Sequence, residues 1–510
     1  MSKTQWYAKS TYVLVVLALV LSLWVVAVPM AGTVEATNGT HYYVSTTGSN
    51  CNNGESWEEA WASIFYAVES GATNYGDVIH VADGVYEEDV GENLPIDFNY
   101  DGVSLIGAGG DTSIIDANNY ETNILNIWAD EVNISGFELR NAKAYDWANT
   151  GNGIYMGGAD NCHISNLKIY HLTEGSDWAR EPAGIFMENY LDDYSDGNTF
   201  SSIEIYDITS DYQPRGIWCH GCSYNQFTDI NIHDVDNTYP CPPVDSCAYG
   251  IHLSGSSLNT FDEIRINSIS GGNWAEGIEV SYQSDSNTFG DLSISDVHGG
   301  TYVYGILVLE SNDNTFGSSS EIWNIIAEFG CGKGIAMEPE DQYSAGSNRN
   351  TFTSFDIHDT CYGFYIDNGD DNFITLSSIH DNVEGVHICS EINESTGNEL
   401  HCNNIYRNTD YGVFKEYSPP VDASGNWWGS VSGPSLSPGD GDNINTNVLY
   451  YFWLLDEFQN CGQCGGAPRP TPSPPAPPGV PTVNQWGIVA MITVFAGLLV
   501  WAVRRRRPAS

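Results

Sequence analysis

The sequence predicts an all-β chain, a right-handed parallel β-helix wound as a single solenoid of about 12 coils behind an N-terminal capping helix. Two periodic signals and one local signal predict it. A Gly followed by an apolar residue recurs at Gly153-Ile154, Gly184-Ile185, Gly216-Ile217, Gly250-Ile251, Gly277-Ile278, Gly305-Ile306, Gly334-Ile335, Gly363-Phe364, Gly385-Val386 and Gly412-Val413, at intervals of 22 to 34 residues. An Asn that leads a Thr/Phe-containing segment follows at a related phase, at Asn198, Asn225, Asn259, Asn287, Asn314, Asn350 and Asn372. The local signal is Ser56-x-x-Glu59, a capping-box pattern, with Trp57, Trp61, Ile64 and Val68 at helical spacing and Gly71 as a stop.

Each repeat reads as several short strands. Positions one and three after the Gly are apolar (Ile154/Met156, Ile185/Met187, Ile251/Leu253, Ile278/Val280), and this period of two is strand chemistry. Further strands are expected at Ile203/Ile205, Ile230/Ile232, Ile264/Ile266 and Phe355/Ile357. A period as short as 22 residues has no room for a crossover helix, so coils must stack strand on strand. The repeated Asn is expected to form a ladder at a coil corner, and the pairs Tyr206-Asp207, His233-Asp234, His358-Asp359 and His380-Asp381 to form solvated turns. The helix near 57–70 is expected to seal the N-terminal end of the core.

The ends differ from the body. Lys3 and Lys9, an apolar run from Tyr12 to Val28 and small residues at Ala31 and Ala36 have the order of a signal peptide over 1–36. The expected organisation continues with a cap over 37–77, the solenoid over 78–457, a Cys/Pro-rich linker over 458–479 and a tail over 480–510. Its apolar segment 486–503 precedes Arg504 to Arg507, which places that end inside and the body outside a membrane. Export makes the twelve cysteines candidates for disulfides. Cys241/Cys247 is the expected pair, and the Cys219/Cys222 and Cys461/Cys464 motifs read as structural disulfides.

The chain has 66 acidic and 17 basic residues, for a formal net charge of −49, and this excludes a nucleic-acid partner. It also repels a polyanionic glycan unless cations bridge the two. Neutral glycans, cationic partners and divalent metals stay open, and adaptation to salt would give the same balance.

Three stretches resemble known families. His41-Tyr42-Tyr43-Val44-Ser45 through Val78-Ile79-His80-Val81-Ala82-Asp83-Gly84-Val85-Tyr86 resembles the opening of pectin-lyase-like proteins. Gly425-Asn426-Trp427-Trp428-Gly429, Gly433-Pro434 and Tyr451-Phe452-Trp453-Leu454 resemble the close of NosD-like β-helix proteins. Val480-Pro481-Thr482-Val483 with Trp486-Gly487 resembles a C-terminal sorting tail of the Ile-Pro-Thr-Leu type, with Val in place of the Ile and Leu. The first two imply a β-helix without naming an activity, because that superfamily includes lyases, hydrolases, epimerases and proteins with no known chemistry. The third implies envelope sorting machinery as a partner, alongside the membrane itself.

If odd positions after the Gly face inward, even ones face out. The outward series contains Tyr155, Phe186, Trp218 and His252, an aromatic stripe that with Trp178 and Arg180 forms the candidate binding groove on coils 153–279. Bare rings on a strand face indicate recognition. Loops that fold over the stripe and bury it are the bland alternative. In an enzyme, Glu188, His220, Arg215 and Glu279 would supply acid, base and charge neutralisation. The ordered hydrolase motifs of this fold fail here in order and content: Asn408-Thr409-Asp410 follows Asp192-Asp193 and Asp370-Asp371 instead of preceding them, and Cys219-His220-Gly221 lacks the first Gly. No cofactor is required by this reading; Asp367, Asp370 and Asp371 are candidate calcium ligands in what is also a good turn sequence. The function expected is an exported, membrane-tethered envelope protein with an elongated glycan- or surface-binding face and no catalysis. A polysaccharide lyase or glycoside hydrolase, and a structural envelope or surface-layer component, are the alternatives.

Overall fold

The computed structural model describes residues 39–457 except 73, 89–90, 110–111, 145–150, 175–180, 190–193, 239–246, 340–345, 390–394 and 436–439, with the backbone of 464–465. The expected signal peptide and the tail lie outside the described residues, as do Trp178, Arg180, Cys241 and Cys461. Among the described residues no helix is long and apolar enough to cross a membrane.

The chain is an all-β parallel β-helix. One sheet contains twelve parallel strands in chain order: β1 (Ile96–Phe98), β2 (Leu125–Ile127), β3 (Ile154–Gly157), β4 (Ala183–Glu188), β5 (Arg215–His220), β6 (Cys247–Ser254), β7 (Trp274–Ser281), β8 (Tyr302–Leu309), β9 (Lys333–Glu338), β10 (Tyr362–Asp367), β11 (Glu384–Cys389) and β12 (Tyr411–Lys415). Their register pairs Ile154 with Ile185, Ile185 with Ile217, Ile217 with Ile251, and Ile251 with Ile278, so equivalent residues of successive repeats stand side by side. All of these are fully buried. The remaining faces belong to a 21-stranded sheet whose long members, such as His163–Glu174 and Gln226–Asn237, also pair in parallel.

Single left-handed residues turn each coil. Asn166, Ser202, Asp229 and Glu263 form one column with φ of 52 to 55°. His171, Asp207, Asp234, Ser268 and Asp296 form a second, with φ of 52 to 55°. The third, Tyr224, Leu258, Ser286, Asp313 and Arg349, immediately precedes the ladder asparagines. The left-handed conformation therefore belongs to the residue before each Asn and not to the Asn itself.

The asparagines form the expected ladder. Asn287 Oδ1 accepts from Asn259 N (2.9 Å) and Nδ2 (3.1 Å), while its Nδ2 donates to Ser256 O (2.9 Å). The same link repeats from Asn198 to Asn225 and from Asn350 to Asn372. Two residues on, Phe200, Phe227, Phe261, Phe289, Phe316 and Phe352 stack inside the core at centroid separations of 4.6 to 4.9 Å. That equals the spacing of paired strands. The repeated Gly has a steric cause: a Cβ on Gly250 would lie 2.5 Å from Gly277 O and 2.7 Å from Ile266 Cγ2.

Two local expectations need correction. The capping helix does not start at Ser56, where Glu59 N bonds Ser56 only within a turn, and Trp57 is exposed. It starts at Ser63, whose side chain accepts from Tyr66 N, and consists of α1 (Ile64–Tyr66) and a following π-turn, Ala67–Gly71. Its free N–H groups are met from afar, because Glu92 accepts from Ile64 N (2.7 Å) and Phe65 N (2.6 Å). Cys219 and Cys222 are buried thiols and not a disulfide, since Cys219 sits at an inward core position of β5. Cys247 is also a buried thiol, its Sγ 3.7 Å from Glu276 Oε1. The bond that does form joins Cys331 to Cys361 on neighbouring coils, with Cα atoms 5.2 Å apart, and Cys402 is disulfide-bonded too. At the C-terminal end Cys464–Gly465 pairs antiparallel with Trp453–Leu454, inside the stretch expected as linker.

The ladder yields a stability test. Asn287→Ala leaves the buried Asn259 amide unmet, and we expect a loss of about 2–3 kcal/mol in urea denaturation, whereas Thr288→Ala, exposed beside it, should cost well under about 1 kcal/mol.

Candidate functional site

The outer face of β2 to β7 carries the aromatic stripe. Trp128, after β2, lies 5.1 Å from Tyr155, Tyr155 lies 5.6 Å from Phe186, Phe186 stacks on Trp218 at 4.1 Å, and Trp218 lies 6.1 Å from His252. The stripe is therefore continuous, as its register requires. It is not bare: Tyr155 is 8%, Phe186 6% and His252 9% exposed, and only Trp128 at 36% counts as open. Parallel pairing brings each ring within contact of the next: Trp128, Tyr155 and Phe186 meet at tilted or edge-on angles, and Phe186, Trp218 and His252 stack face to face. The Arg215 guanidinium lies 4.0 Å over the Trp218 ring as well.

Beside the stripe a buried polar cluster spans the four coils of β4 to β7. Arg215 donates from Nε to His252 Nδ1 (3.1 Å), from Nη1 to Glu181 Oε2 (2.8 Å) and Gln213 O (3.3 Å), and from Nη2 to Gln213 Oε1 (2.5 Å). An Arg can only donate, so His252 Nδ1 is the acceptor and the ring proton sits on Nε2. Burial, then the Arg215 charge, holds His252 well below the usual imidazole range, which keeps it neutral. His252 Nε2 lies 3.5 Å from Glu279 Oε1. Glu276 lies on the same strand, β7, and burial followed by the Glu279 charge pushes its carboxyl well up, so it keeps its proton.

The four acid–base candidates thus fall into two groups. Glu188 and His220 are register partners at the ends of β4 and β5, with His220 exposed, and Glu188 accepts from the Tyr155 hydroxyl. Arg215 and Glu279 belong to the buried cluster with His252. Trp218 stands between the groups, its ring 6.1 Å from that of His220.

Glu276 and Tyr249 escaped the reading of the sequence because strict alternation sends the residue before each Gly inward. The strand bends at the Gly instead, and Tyr249 stacks on His252 at 4.8 Å on the outer face. One signal would have found them: that position reads Asn152, Ala183, Arg215, Tyr249, Glu276, Tyr304, Lys333, Tyr362, Glu384, Tyr411, polar or aromatic in every repeat but that of Ala183.

The calcium candidates do not gather. Among the described residues no three His, Cys, Asp or Glu side chains form a metal-binding group. Asp370 Oδ1 instead accepts from Thr396 N (2.6 Å) and Oγ1 (3.0 Å) on the next coil, and Asp371 is one of the left-handed corner residues. His358 and His380 do stack, at 5.2 Å, but their ring nitrogens face Glu321, Asp359, Asp356 and Asp381.

No protein-family model matches the chain, and no curated protein matches its sequence. Solved structures are similar in fold. The A-module of the Azotobacter vinelandii mannuronan C-5 epimerase AlgE6 is 12% identical over 70% of this chain and 91% of its own, with a TM-score of 0.45. A variant of the periplasmic alginate epimerase AlgG is 12% identical over 71% and 82%, with a TM-score of 0.44. The catalytic domain of a GH87 alpha-1,3-glucanase in complex with nigerose is 15% identical over 72% and 62%, with a TM-score of 0.42. They share the β-helix. No residue role is carried over from them.

The protonated Glu276 has a consequence for stability. Its folded pKa lies above its unfolded value near 4.5, so as pH rises past 4.5 the unfolded chain releases its proton first and is favoured. Glu92 and Glu174, both raised to about 7 chiefly by burial, act in the same direction. Stability should therefore fall as pH increases from 4.5 towards 7 and beyond, with a limiting slope of about 1.4 kcal/mol per pH unit for each of the buried Glu276 and Glu92 and a smaller one for the half-exposed, solvent-screened Glu174. Thermal melts of Glu276→Gln across that range should show a shallower fall than wild type.

Proposed function

We propose that this chain is an exported, membrane-tethered β-helix protein that binds glycan on the outer face of β3 to β7 and does not cleave it. One observation carries the binding reading. Among the described residues six buried side-chain polar atoms have no hydrogen-bond partner, and four of them, Asn189 Oδ1, Trp218 Nε1, His252 Nε2 and Glu276 Oε2, lie on β4 to β7 or directly after β4. Buried polar atoms are otherwise nearly always paired, so this concentration of orphans sets the ground under the aromatic stripe apart from the rest of the solenoid, and a hydroxyl-rich ligand on the accessible edge above it is the reading that fits. Trp128, Glu188, His220 and part of Trp218 provide the accessible edge. Export and tethering are supported by the basic, apolar and small-residue order of the first 36 residues, by the apolar tail with its arginines, and by the Cys331–Cys361 bond, which needs an oxidising compartment.

A second reading has its own observation. Burial and the neighbouring Glu279 push the Glu276 carboxyl well up, and a pair of carboxyls of which one is held protonated is what glycosidic cleavage uses. A polysaccharide hydrolase or lyase on the same face is therefore the alternative.

A polysaccharide panel in affinity electrophoresis tests both. We expect the purified full chain to be retarded by at least one glycan, Trp218→Ala to weaken this about tenfold or more, and His358→Ala, on the other sheet, to leave it unchanged. A wild type retarded by nothing would sink the binding claim. New reducing ends or unsaturated products that vanish in Glu279→Gln or Glu188→Gln would promote the enzyme instead.

A further inference from the structure

On the outer face of β8 to β12 the residue before each Gly alternates between tyrosine and charge: Tyr304, Lys333, Tyr362, Glu384 and Tyr411, each the register partner of the next. Lys333 and Glu384 thus each stand between tyrosines of the coils on either side, at a coil spacing of about 4.8 Å. The cation uses the rings around it. Lys333 Nζ lies 4.9 Å from the Tyr304 centroid and 4.3 Å from that of Tyr365, and it pairs with Glu338. Rings and a carboxylate on adjoining coils therefore make a seat for an ammonium group, and in this instance a side chain of the protein fills it.

Two coils further on the same elements recur without the cation. Tyr362, Tyr365, Tyr411 and Phe414 are half-buried, more open than Tyr155 and Phe186 of the stripe. Three of these rings gather round His387, with centroids 5.0 Å (Tyr362), 5.4 Å (Tyr365) and 5.2 Å (Phe414) away, and Tyr411 meets Phe414 at 4.9 Å. Two carboxylates join them: Glu384 Oε2 lies 2.8 Å from His387 Nδ1, and the exposed Glu416 has Oε1 3.8 Å from His387 Nε2. Lys415 is the one lysine or arginine on β10 to β12, and it faces the core, 2% exposed, with Nζ donating to Ser395 O (2.8 Å). The sheet ends at β12, so no further strand brings a cation to Glu384 and Tyr411.

We propose that this open end of the face, built by Tyr362, Tyr411, Phe414, Glu384 and Glu416, binds an organic ammonium group, carried by a free polyamine or by an amino-sugar chain. The cation lies against the rings with the carboxylates beside it, the arrangement Lys333 shows two coils earlier. An anionic ligand would meet two acids, and a neutral sugar would gain nothing from them. The site is separate from the stripe on β3 to β7 and does not depend on what that stripe binds.

Calorimetric titration of the full chain with tetramethylammonium, spermidine or glucosamine oligomers, in about 150 mM sodium chloride, tests the site. A chain with a formal net charge of −49 draws any cation loosely, so the variants carry the decision. We expect saturable binding of at least one ammonium compound. Tyr411→Leu, which removes a ring and no charge, should weaken it about three- to tenfold, and Glu384→Gln by a similar factor. Tyr411→Phe should change it less than about twofold, and so should Tyr206→Leu, which removes a half-buried ring from the other sheet. Tighter binding of spermidine or of the oligomers tells which source carries the ammonium. An unchanged Tyr411→Leu or an unchanged Glu384→Gln overturns the seat, and if Tyr411→Leu does not fold, Glu384→Gln decides alone. Absence of saturable binding by all three overturns the inference and leaves glycan binding on β3 to β7 untouched.

Discussion

Everything in this molecule depends on the distance between one coil and the next. Parallel backbone pairing fixes it near 4.8 Å, and whatever residue a repeat places at a given phase must then lie against its equivalent at that distance. Flat rings tolerate this and stack, as the phenylalanine column does. Asn amides tolerate it and bridge, as Asn287 does by accepting from the coil before while donating further back. Gly is required where the facing carbonyl would otherwise collide with a side chain.

The same constraint shapes the outer face. Aromatic residues there cannot stand apart as separate platforms; they close on one another, and Phe186 against Trp218 is the tightest case. Polar residues crowd too, and a cation on one coil is met by the carboxylates of the coils beside it. The result is a surface on which apolar faces are mutually covered and specific polar edges are left unmatched.

How far the sequence revealed this follows from the same physics. The Gly and Asn phases were legible because the repeat makes each residue's environment recur, so the core, the ladder and the outward set with Tyr155, Phe186, Trp218 and His252 could be read as columns. Less legible were features set by one coil's geometry. The bend at the Gly breaks strict alternation, and this hid Glu276 and Tyr249. The burial of the stripe depends on ring stacking across coils, which no single repeat encodes. The start of the cap depends on Glu92, nearly thirty residues downstream of Ser63, so the local pattern at Ser56 pointed to the wrong turn. Cysteine pairing followed coil adjacency and not sequence proximity: Cys331 and Cys361 are 30 residues apart yet neighbours, while Cys219 and Cys222 point into the interior.

The covalent link between Cys331 and Cys361 has a mechanical meaning. A stack in which each level grips only the levels above and below can peel from an end, one turn at a time. Cys331 and Cys361 rivet the entrance of β9 to the entrance of β10, so unwinding that begins at the C-terminal turns meets a joint that backbone rupture alone does not open. In a reducing medium the column has no such stop, and the length of solenoid surviving under strain would then be set by the redox state of its surroundings.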